Sequence, residues 1–356
     1  MLRAIKIVLV VVTATIAATP LPRGAVERLY SRGVYPVVQP RITSASNASS
    51  FAWFDVAVMI VGGAVLALWI GRLRQKKGWL RTLADLIIDT SAIGASCYLW
   101  FLAGWGLNYQ REPLRSQLDF QESRITRDAL RELAAHNVAL LNRQYDEAHR
   151  RAWPELAQMP AVLEAPFARA QADLGMSWRA APGRPKRSLF NFYFTRVSID
   201  GMTDPFFLET LANQSLLPFE RPFTVAHEWG HLAGYADESE ANFFAWLVCM
   251  RAPVPEQYSA WISLYGTIAN ALPPSDRADI SRALASGPRD DLRAMAERVR
   301  RQVSPIANRT GYALYDRFLK ANRVQAGIRS YSEVLRLLLG TRFTADGTPV
   351  LAAPTQ

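Results

Sequence analysis

Two long apolar segments joined by a short basic connection constrain this chain most strongly. They cover residues 51–70 and 83–107, and each has the roughly 20 residues that a helix needs to cross a bilayer. The connection "GRLRQKKGWLR" carries clustered basic residues, namely Arg72, Arg74, Lys76, Lys77 and Arg81. Cytoplasmic loops of membrane proteins are enriched in Lys and Arg. The pattern therefore predicts two membrane-spanning helices, with the connection in the cytoplasm and the chain after Asn108 on the outer side.

A further apolar run covers residues 7–21 and follows Arg3 and Lys6, which predicts a third apolar helix over about residues 5–21. It is short for a span, and the small residues of "TATIAAT" would also suit signal-peptide cleavage. Both interpretations stay open. Residues 1–107 are thus predicted to form a membrane region of two or three helices, with the lipid bilayer as a partner.

Asp85 and Asp89 fall in the first turns of the second long segment. Carboxylates inside a membrane are candidates for an ion or proton path. These two lie one helical turn apart and close to the basic connection, where charged side chains easily reach the headgroups. We therefore favour a position at the membrane surface.

Charge and cysteine content exclude two other classes of function. The formal net charge is +10, but the basic residues lie beside apolar runs and not in a patch with interleaved aromatics, so we expect no nucleic-acid partner. Cys97 and Cys249 have neither paired nor CxxC spacing, and we interpret both as packing residues.

The segment "FTVAHEWGHLAGYADESEANFFAW" carries the clearest chemistry. In HExxH, His227 and His231 lie one turn apart on one helix face and can bind one tetrahedral metal ion. Glu228 points about 100° away, so it can hold a water molecule and accept its proton. Zn²⁺ lowers the pKa of such a water to about 7 and polarises a carbonyl. The motif therefore predicts zinc-dependent hydrolysis of peptide bonds.

A catalytic zinc of this class needs a third protein ligand, and Asp237, Glu238 and Glu240 are the candidates. Asp237 fits a metzincin-like register and Glu238 a gluzincin-like ExxxD pattern in which Asn242 replaces the Asp. We favour Glu238 because Asn242, one turn later, could accept the free N–H of a zinc-bound imidazole. The short connection then demands a tight turn at Gly234.

Residues that bind the substrate or the transition state are harder to assign. Candidate donors are Tyr265, Tyr312, Tyr315, Tyr331 and Arg309. Tyrosines on helix faces are more often core residues. The segment "FFLETLANQSLLPFE" could pair with a peptide, with Asn213 contributing a polar contact, or could form a covering loop.

Elsewhere the outer part is predicted to be mostly helical. Thr126 is a plausible N-cap of a helix that carries His136 and His149, both interpreted as surface or packing residues. The aromatic and β-branched "LFNFYFTRVSIDG" predicts a strand. The final residues, 343–356, are predicted to form a loose tail.

Several segments resemble the bacterial membrane-protein family catalogued as domain of unknown function 3810. They are "WGLNYQREPL", the stretch "SIDGMTDPFFLETLANQSLLPFERPFTVAHEWGHLAGYADESEANFFAWLVC" and "YDRFLKANRVQAGIRSYSEVLRLLLG". The "ESEANFFAWLV" portion is also similar to the glutamate helix of HExxH peptidases that carry "ExEANxFA". The resemblance implies a zincin-like metallopeptidase anchored in the inner membrane, without an assigned substrate.

The predicted fold class is accordingly mainly α, with N-terminal transmembrane helices followed by a mostly helical zincin-like (α+β) domain over residues 108–342. The expected substrate is a peptide or protein. The alternative is a non-catalytic membrane scaffold or sensor with a structural or lost zinc site. A small transport-like protein that uses Asp85 and Asp89 is a third, weaker interpretation.

Overall fold

A computed structural model describes residues 1–75, 77–322 and 333–353, and over these ranges the chain is mainly helical. The helices are α1 (Leu2–Ala18), α2 (Arg23–Ala25), α3 (Tyr35–Asn47), α4 (Trp53–Arg74), α5 (Trp79–Gly104), α6 (Arg127–Ala148), α7 (Met159–Asp173), α8 (Asn191–Arg196), α9 (Arg221–Leu232), α10 (Glu238–Met250), α11 (Val254–Ala271), α12 (Pro274–Ala283), α13 (Ser286–Gln302), α14 (Pro305–Ala321) and α15 (Val334–Gly340). The strands are β1 (Pro185–Lys186), β2 (Gly201–Asp204) and β3 (Glu209–Ala212). Lys76 and Tyr331 lie outside the described residues.

The helices α4 and α5 are long and apolar enough to cross a membrane, and we call them the two candidate spans. Large apolar side chains of α4 face outwards, with Ile60 65% and Leu66 58% exposed. Apolar surface of this kind is stable when lipid covers it. The helix α1 and the helical stretch Arg23–Asn47 are bent by 109° and would add a third span if they formed one.

Ion pairs join α1, α4 and α5 at one end. Asp89 lies 2.5 Å from the Lys6 ammonium group and 2.8 Å from the Arg72 guanidinium group. Asp85 lies 3.5 Å from Arg72 and 3.7 Å from Lys77. Both aspartates are therefore balanced by neighbouring cations, and α1 is held against the second candidate span.

The helix α3 packs on the part of the chain that follows the spans. The Tyr35 hydroxyl donates to the carbonyl oxygen of Leu232 at 2.9 Å, and the Thr43 hydroxyl donates to that of Leu208 at 2.9 Å. Gln39 exchanges two hydrogen bonds with the backbone of Ala181. Residues 35–47 are therefore attached to the part of the chain for which the sequence predicted a domain over residues 108–342.

A small sheet lies beside α9. Its order is β1-β3-β2, with β1 parallel and β2 antiparallel to β3. The β2–β3 turn is closed by Asp204, whose carboxylate accepts the backbone N–H groups of Phe206 and Phe207 at 3.1 and 2.9 Å. On the other edge, the buried Lys186 ammonium group donates to Glu209. The central strand is thus β3, and β2 is an outer strand.

Two local predictions need correction. The stretch "LFNFYFTRVSIDG" was predicted as a strand, but it contains the helix α8, and strand structure begins only at Gly201. The tail predicted to be loose is bonded over 343–353: the Asp119 N–H donates to the Val350 carbonyl at 2.7 Å and the Ala352 N–H to the Gln117 carbonyl at 2.9 Å. Residues 354–356 lie outside the described ranges.

The remaining histidines and the cysteines have packing positions. His136 meets Trp261 edge-on, with ring centroids 5.8 Å apart. His149 Nε2 lies 3.2 Å from Asp291 Oδ2. Cys249 is buried in the core and Cys97 is partly exposed on α5.

The contact of α3 with the end of α9 is testable through Tyr35→Phe. The change leaves the buried Leu232 carbonyl without its donor, which should lower the free energy of unfolding by about 1–3 kcal/mol. Thermal unfolding in detergent measures this loss. Tyr193→Phe removes the hydroxyl of a side chain that is 44% exposed and serves as the matched control; an equal loss in both variants would contradict the assignment.

The β2–β3 turn predicts a pH dependence. Burial, despite its two backbone hydrogen bonds, raises the pKa of Asp204 from 3.8 to about 7. The folded state then holds this proton more tightly than the unfolded chain, so the contribution to stability is full below pH 4 and is lost as pH rises to about 7. Each unit of pKa shift corresponds to roughly 1.4 kcal/mol. Asp204→Asn should flatten the fall of the melting temperature between about pH 4 and 7, whereas Asp279→Asn, at a side chain 65% exposed, should leave it unchanged.

Candidate metal centre

The motif helix α9 and the acidic helix α10 are in close contact. A Cβ atom added to Gly230 would lie 3.2 Å from the Cα atom of Ala241 and 3.3 Å from its carbonyl oxygen. Both of these are backbone atoms, which cannot move aside as a flexible side chain could. Glycine at this position therefore lets the two helix backbones approach, despite its cost of about 1 kcal/mol in helix propensity relative to alanine.

A glycine turn connects the two helices. Gly234 has a φ of +89°, a conformation that glycine adopts without steric cost. Its N–H donates to the His231 carbonyl at 3.0 Å, and the Tyr235 N–H donates to the Gly230 carbonyl at 3.1 Å. This pattern ends α9. Asp237 then begins α10 by accepting the N–H of Ser239 at 2.8 Å, so the chain reverses within a few residues.

The reversal brings Glu238 to the two histidines. His227 Nε2 lies 3.1 Å from His231 Nε2, and Glu238 Oε2 lies 3.2 and 3.6 Å from these two nitrogens. Ligands placed tetrahedrally at zinc bond lengths of 2.0–2.2 Å are about 3.3–3.6 Å apart. The three atoms therefore form a group that could hold a metal ion.

Hydrogen bonds fix the orientation of both imidazoles. His231 Nδ1 donates to the Tyr235 carbonyl oxygen at 2.7 Å, and His227 Nδ1 lies 2.9 Å from Asn242 Oδ1. With Nδ1 protonated, each Nε2 presents a lone pair to the shared point. Two neutral imidazoles and a carboxylate present lone pairs that repel one another at these distances unless a proton or a metal cation lies between them, so the donor set fits a divalent metal.

The electrostatics of the site also favour a positive charge. Burial alone would lower the pKa of His231, but the charge and hydrogen bond of Glu238 raise it to about 9. Burial likewise opposes ionisation of Glu238, yet the two histidines hold its pKa well below the usual range. The carboxylate is therefore charged, and the field at the imidazoles attracts a cation.

Glu228 lies on the same helix, between the sheet and the histidines. Its Oε2 accepts the Thr203 hydroxyl at 2.8 Å, and a Cβ atom on Gly201 would come within 2.5 Å of its Oε1. The side chain is buried, which raises its pKa even though the histidines and Thr203 act in the opposite direction. A carboxylate with a raised pKa binds a proton more readily than an ordinary glutamate, which suits a group that accepts and returns a proton.

The two other candidate carboxylates point elsewhere. Asp237 caps α10, with its Oδ1 accepting from the backbone and hydroxyl of Ser239. Glu240 Oε1 accepts the N–H of Leu114 at 2.6 Å, and burial raises its pKa to about 7. Of the three carboxylates, only Glu238 belongs to the group of potential ligands found among the described residues.

Of the proposed substrate-contacting residues, Asn213, Tyr265 and Arg309 are described together with their side chains. Asn213 is buried in a turn, where its side chain accepts from Ser215 and donates to the Ile199 carbonyl. Tyr265 is partly buried against the hydrophobic core, and Arg309 is exposed on α14. The side chains of Tyr312 and Tyr315, and the whole of Tyr331, lie outside the described residues.

The segment that follows α5 contacts the end of α9, next to the potential ligands. The sequence analysis did not predict this contact. The Trp105 indole N–H donates to the His231 carbonyl at 2.9 Å, and the Arg111 guanidinium donates to the Gly234 carbonyl at 3.0 Å. Burial and the charges of Glu238 and Asp237 raise the pKa of Tyr109. Gly201 and Thr203 were missed as well, because only the tertiary fold brings β2 to Glu228.

Comparison with known proteins gives one family. The model of the family described as "Protein of unknown function (DUF3810)" matches residues 30–339. The matched range contains both candidate spans, the sheet and the potential metal ligands. No curated protein and no solved structure matches the chain. An activity therefore has to be argued from the geometry of the site.

The contact between Asn242 and His227 leads to a prediction about metal affinity. Asn242→Leu removes the acceptor that orients the imidazole and should weaken zinc binding roughly 10- to 100-fold. Asn242→Asp keeps an acceptor oxygen and should retain the wild-type affinity within a few-fold. Competition with a chromogenic chelator measures both affinities, and equal affinity in the leucine variant and the wild type would contradict the role of Asn242.

Proposed function

This chain belongs to the DUF3810 family, and we propose that it is a membrane-anchored, zinc-dependent metallopeptidase. The observation that carries the proposal is the convergence of His227 Nε2, His231 Nε2 and Glu238 Oε2 at separations of 3.1–3.6 Å, with Glu228 on the same helix. Nitrogen and carboxylate donors in this number are the ligand set of catalytic zinc sites.

Zinc is the metal that this donor set suits best. Two imidazoles and one carboxylate leave the fourth tetrahedral position for water or substrate, which is typical of catalytic and not of structural zinc. When bound, the ion lowers the pKa of water to about 7 and polarises the carbonyl that is attacked. The partial exposure of His227, at 13% of its side chain, supports access to this position.

Glu228 is the proposed general base. It would accept a proton from the attacking water and deliver it to the nitrogen of the leaving amine, so that the carboxylate is restored at the end of the reaction. The Thr203 hydroxyl, bonded to Oε2 at 2.8 Å, orients the carboxylate and leaves Oε1 for the water. The raised pKa of Glu228 supports both halves of this transfer.

The outer strand β2 is the proposed binding site for an extended peptide. It is half-buried at Gly201, Met202 and Thr203 and pairs with β3 on one side. A peptide that adds to an outer strand gains backbone hydrogen bonds without dependence on sequence. Because Thr203 also contacts Glu228, such a peptide would run past the metal centre.

The proposed location is the bacterial inner membrane, with several spans and the catalytic domain on the outer side. The two candidate spans support membrane association. The basic connection between them favours a cytoplasmic position for that loop. The following domain then lies outside the cytoplasm.

Glu228→Gln tests the catalytic proposal. The variant should bind zinc as the wild type does, because Glu228 is not among the ligands, and should lose roughly 10²- to 10⁴-fold in the rate of peptide hydrolysis. Glu240→Gln is the matched control: it makes the same chemical change at a buried carboxylate that contacts Leu114 instead and should retain activity. Zinc content is measured by atomic emission, and hydrolysis by mass spectrometry of a random peptide library.

The outcomes separate the two candidate functions. Zinc in the wild type with cleavage that depends on Glu228 supports the peptidase. Zinc without any cleavage by the full-length protein would favour a structural site in a membrane scaffold or sensor. Unchanged hydrolysis in Glu228→Gln would reject the general-base role.

A further inference from the structure

The β2–β3 turn is attached to the domain-side ends of both candidate spans. The Trp100 indole N–H on α5 donates to the Phe206 carbonyl at 3.0 Å, and the rings of Trp53 and Phe207 are 6.2 Å apart. A Cβ atom on Gly104, the last residue of α5, would lie 3.1 Å from the Pro205 carbonyl. The β2–β3 turn of the sheet therefore contacts the beginning of α4 and the end of α5.

The segment that leads into α8 is attached to the first turn of α4. The Asp55 carboxylate accepts the Ser188 hydroxyl at 2.6 Å and the Leu189 N–H at 2.7 Å, and Asp55 is buried. The rings of Phe54 and Phe190 also meet, with centroids 6.3 Å apart. Ile60, which faces outwards from α4, lies five residues after Asp55, a rise of only about 8 Å.

Next to this attachment, large apolar side chains are exposed. Leu189 and Phe192 are each 71% exposed and Tyr193 is 44% exposed, whereas Phe194 is buried on the opposite side of the helix. We call Leu189, Phe192 and Tyr193 the α8 patch. Exposed basic residues, namely Arg184, Arg187 and Arg196, lie around it in the sequence. An apolar cluster with an aromatic hydroxyl and basic neighbours matches the composition of surfaces that lie at a membrane interface.

We propose that the α8 patch inserts into the headgroup region of the same bilayer that α4 and α5 cross. We expect lipid to cover the patch because the patch adjoins a candidate span. Leu189 is bonded to Asp55 in the first turn of α4, within about two helical turns of side chains that face outwards from that helix. A protein partner at this point would have to displace lipid. Interfacial helices of this kind bury their apolar face about 5–10 Å deep.

The insertion sets the height of the metal centre above the membrane. Thr203, which contacts Glu228, precedes Phe206 by three residues, a distance of at most about 11 Å along an extended chain. The Phe206 carbonyl accepts from the end of α5. The centre is thus held near the headgroups by two attachments, the β2–β3 turn and the α8 patch.

Depth-dependent fluorescence quenching tests the insertion. The full chain with Cys97→Ala is labelled with bimane at Phe192→Cys and placed in phosphatidylcholine nanodiscs that contain lipid with a nitroxide on the headgroup. The matched control is Arg282→Cys on α12, where the native side chain is 75% exposed and the helix packs on α6 and α11. Labelled Ile60→Cys provides a reference for lipid contact.

The label at position 192 should be quenched by the headgroup nitroxide at least about twofold more than the label at 282, as expected for an interfacial depth. Aqueous iodide should quench the label at position 282 more strongly than the label at position 192. If the label at 192 is as accessible to iodide as the label at 282, the proposal is overturned. Protection from both quenchers would show that a second copy or another protein covers the patch, which also overturns it.

Discussion

The close contact between α9 and α10 is the constraint on which the centre depends. Gly230 removes the side chain that would separate the helix backbones, and Gly234 reverses the chain with a positive φ. Together they place Glu238, the first residue of α10, beside the imidazoles of α9. The same pairing puts Asn242 one turn further along, against His227. The packing of α10 against α9 thus provides both the third potential ligand, Glu238, and the side chain that orients His227, Asn242.

The end of α9 is also where the membrane region meets the centre. The last carbonyl groups of a helix have no partner within it. Here the carbonyls of His231, Leu232 and Gly234 accept from Trp105, Tyr35 and Arg111. These donors come from α3 and from the segment after α5, so the chain completes its motif helix with residues next to the spans. Movement of the domain relative to the spans would expose these carbonyls, which favours a rigid connection.

Features with local periodicity could be predicted from the sequence, and features made by distant pairing could not. HExxH, the turn at Gly234 and the two apolar segments depend on spacing within one element. In α8, by contrast, tertiary packing overrides the high strand propensity of "FNFYF": Phe194 packs inwards while Phe192, two residues earlier, faces out. Residues 343–353 looked like a tail because their partners, near residues 117–121, are more than 200 positions away. The contact between Thr203 and Glu228 could not be predicted for the same reason, because it joins two separate elements of the fold.

Buried carboxylates are balanced in more than one way in this molecule. Among the described residues, Asp55, Asp204 and Glu240 accept backbone N–H groups, and other buried carboxylates face basic side chains: Glu209 pairs with Lys186, Glu220 with Arg298 and Glu27 with Arg111. Such pairing offsets the cost of removing an ion from water. Glu228 and Glu238 instead face imidazoles and a threonine hydroxyl. The raised pKa of His231 reflects the positive charge that these carboxylates attract, and either a proton on an imidazole or a divalent ion at the point where the three donor atoms meet can supply that charge.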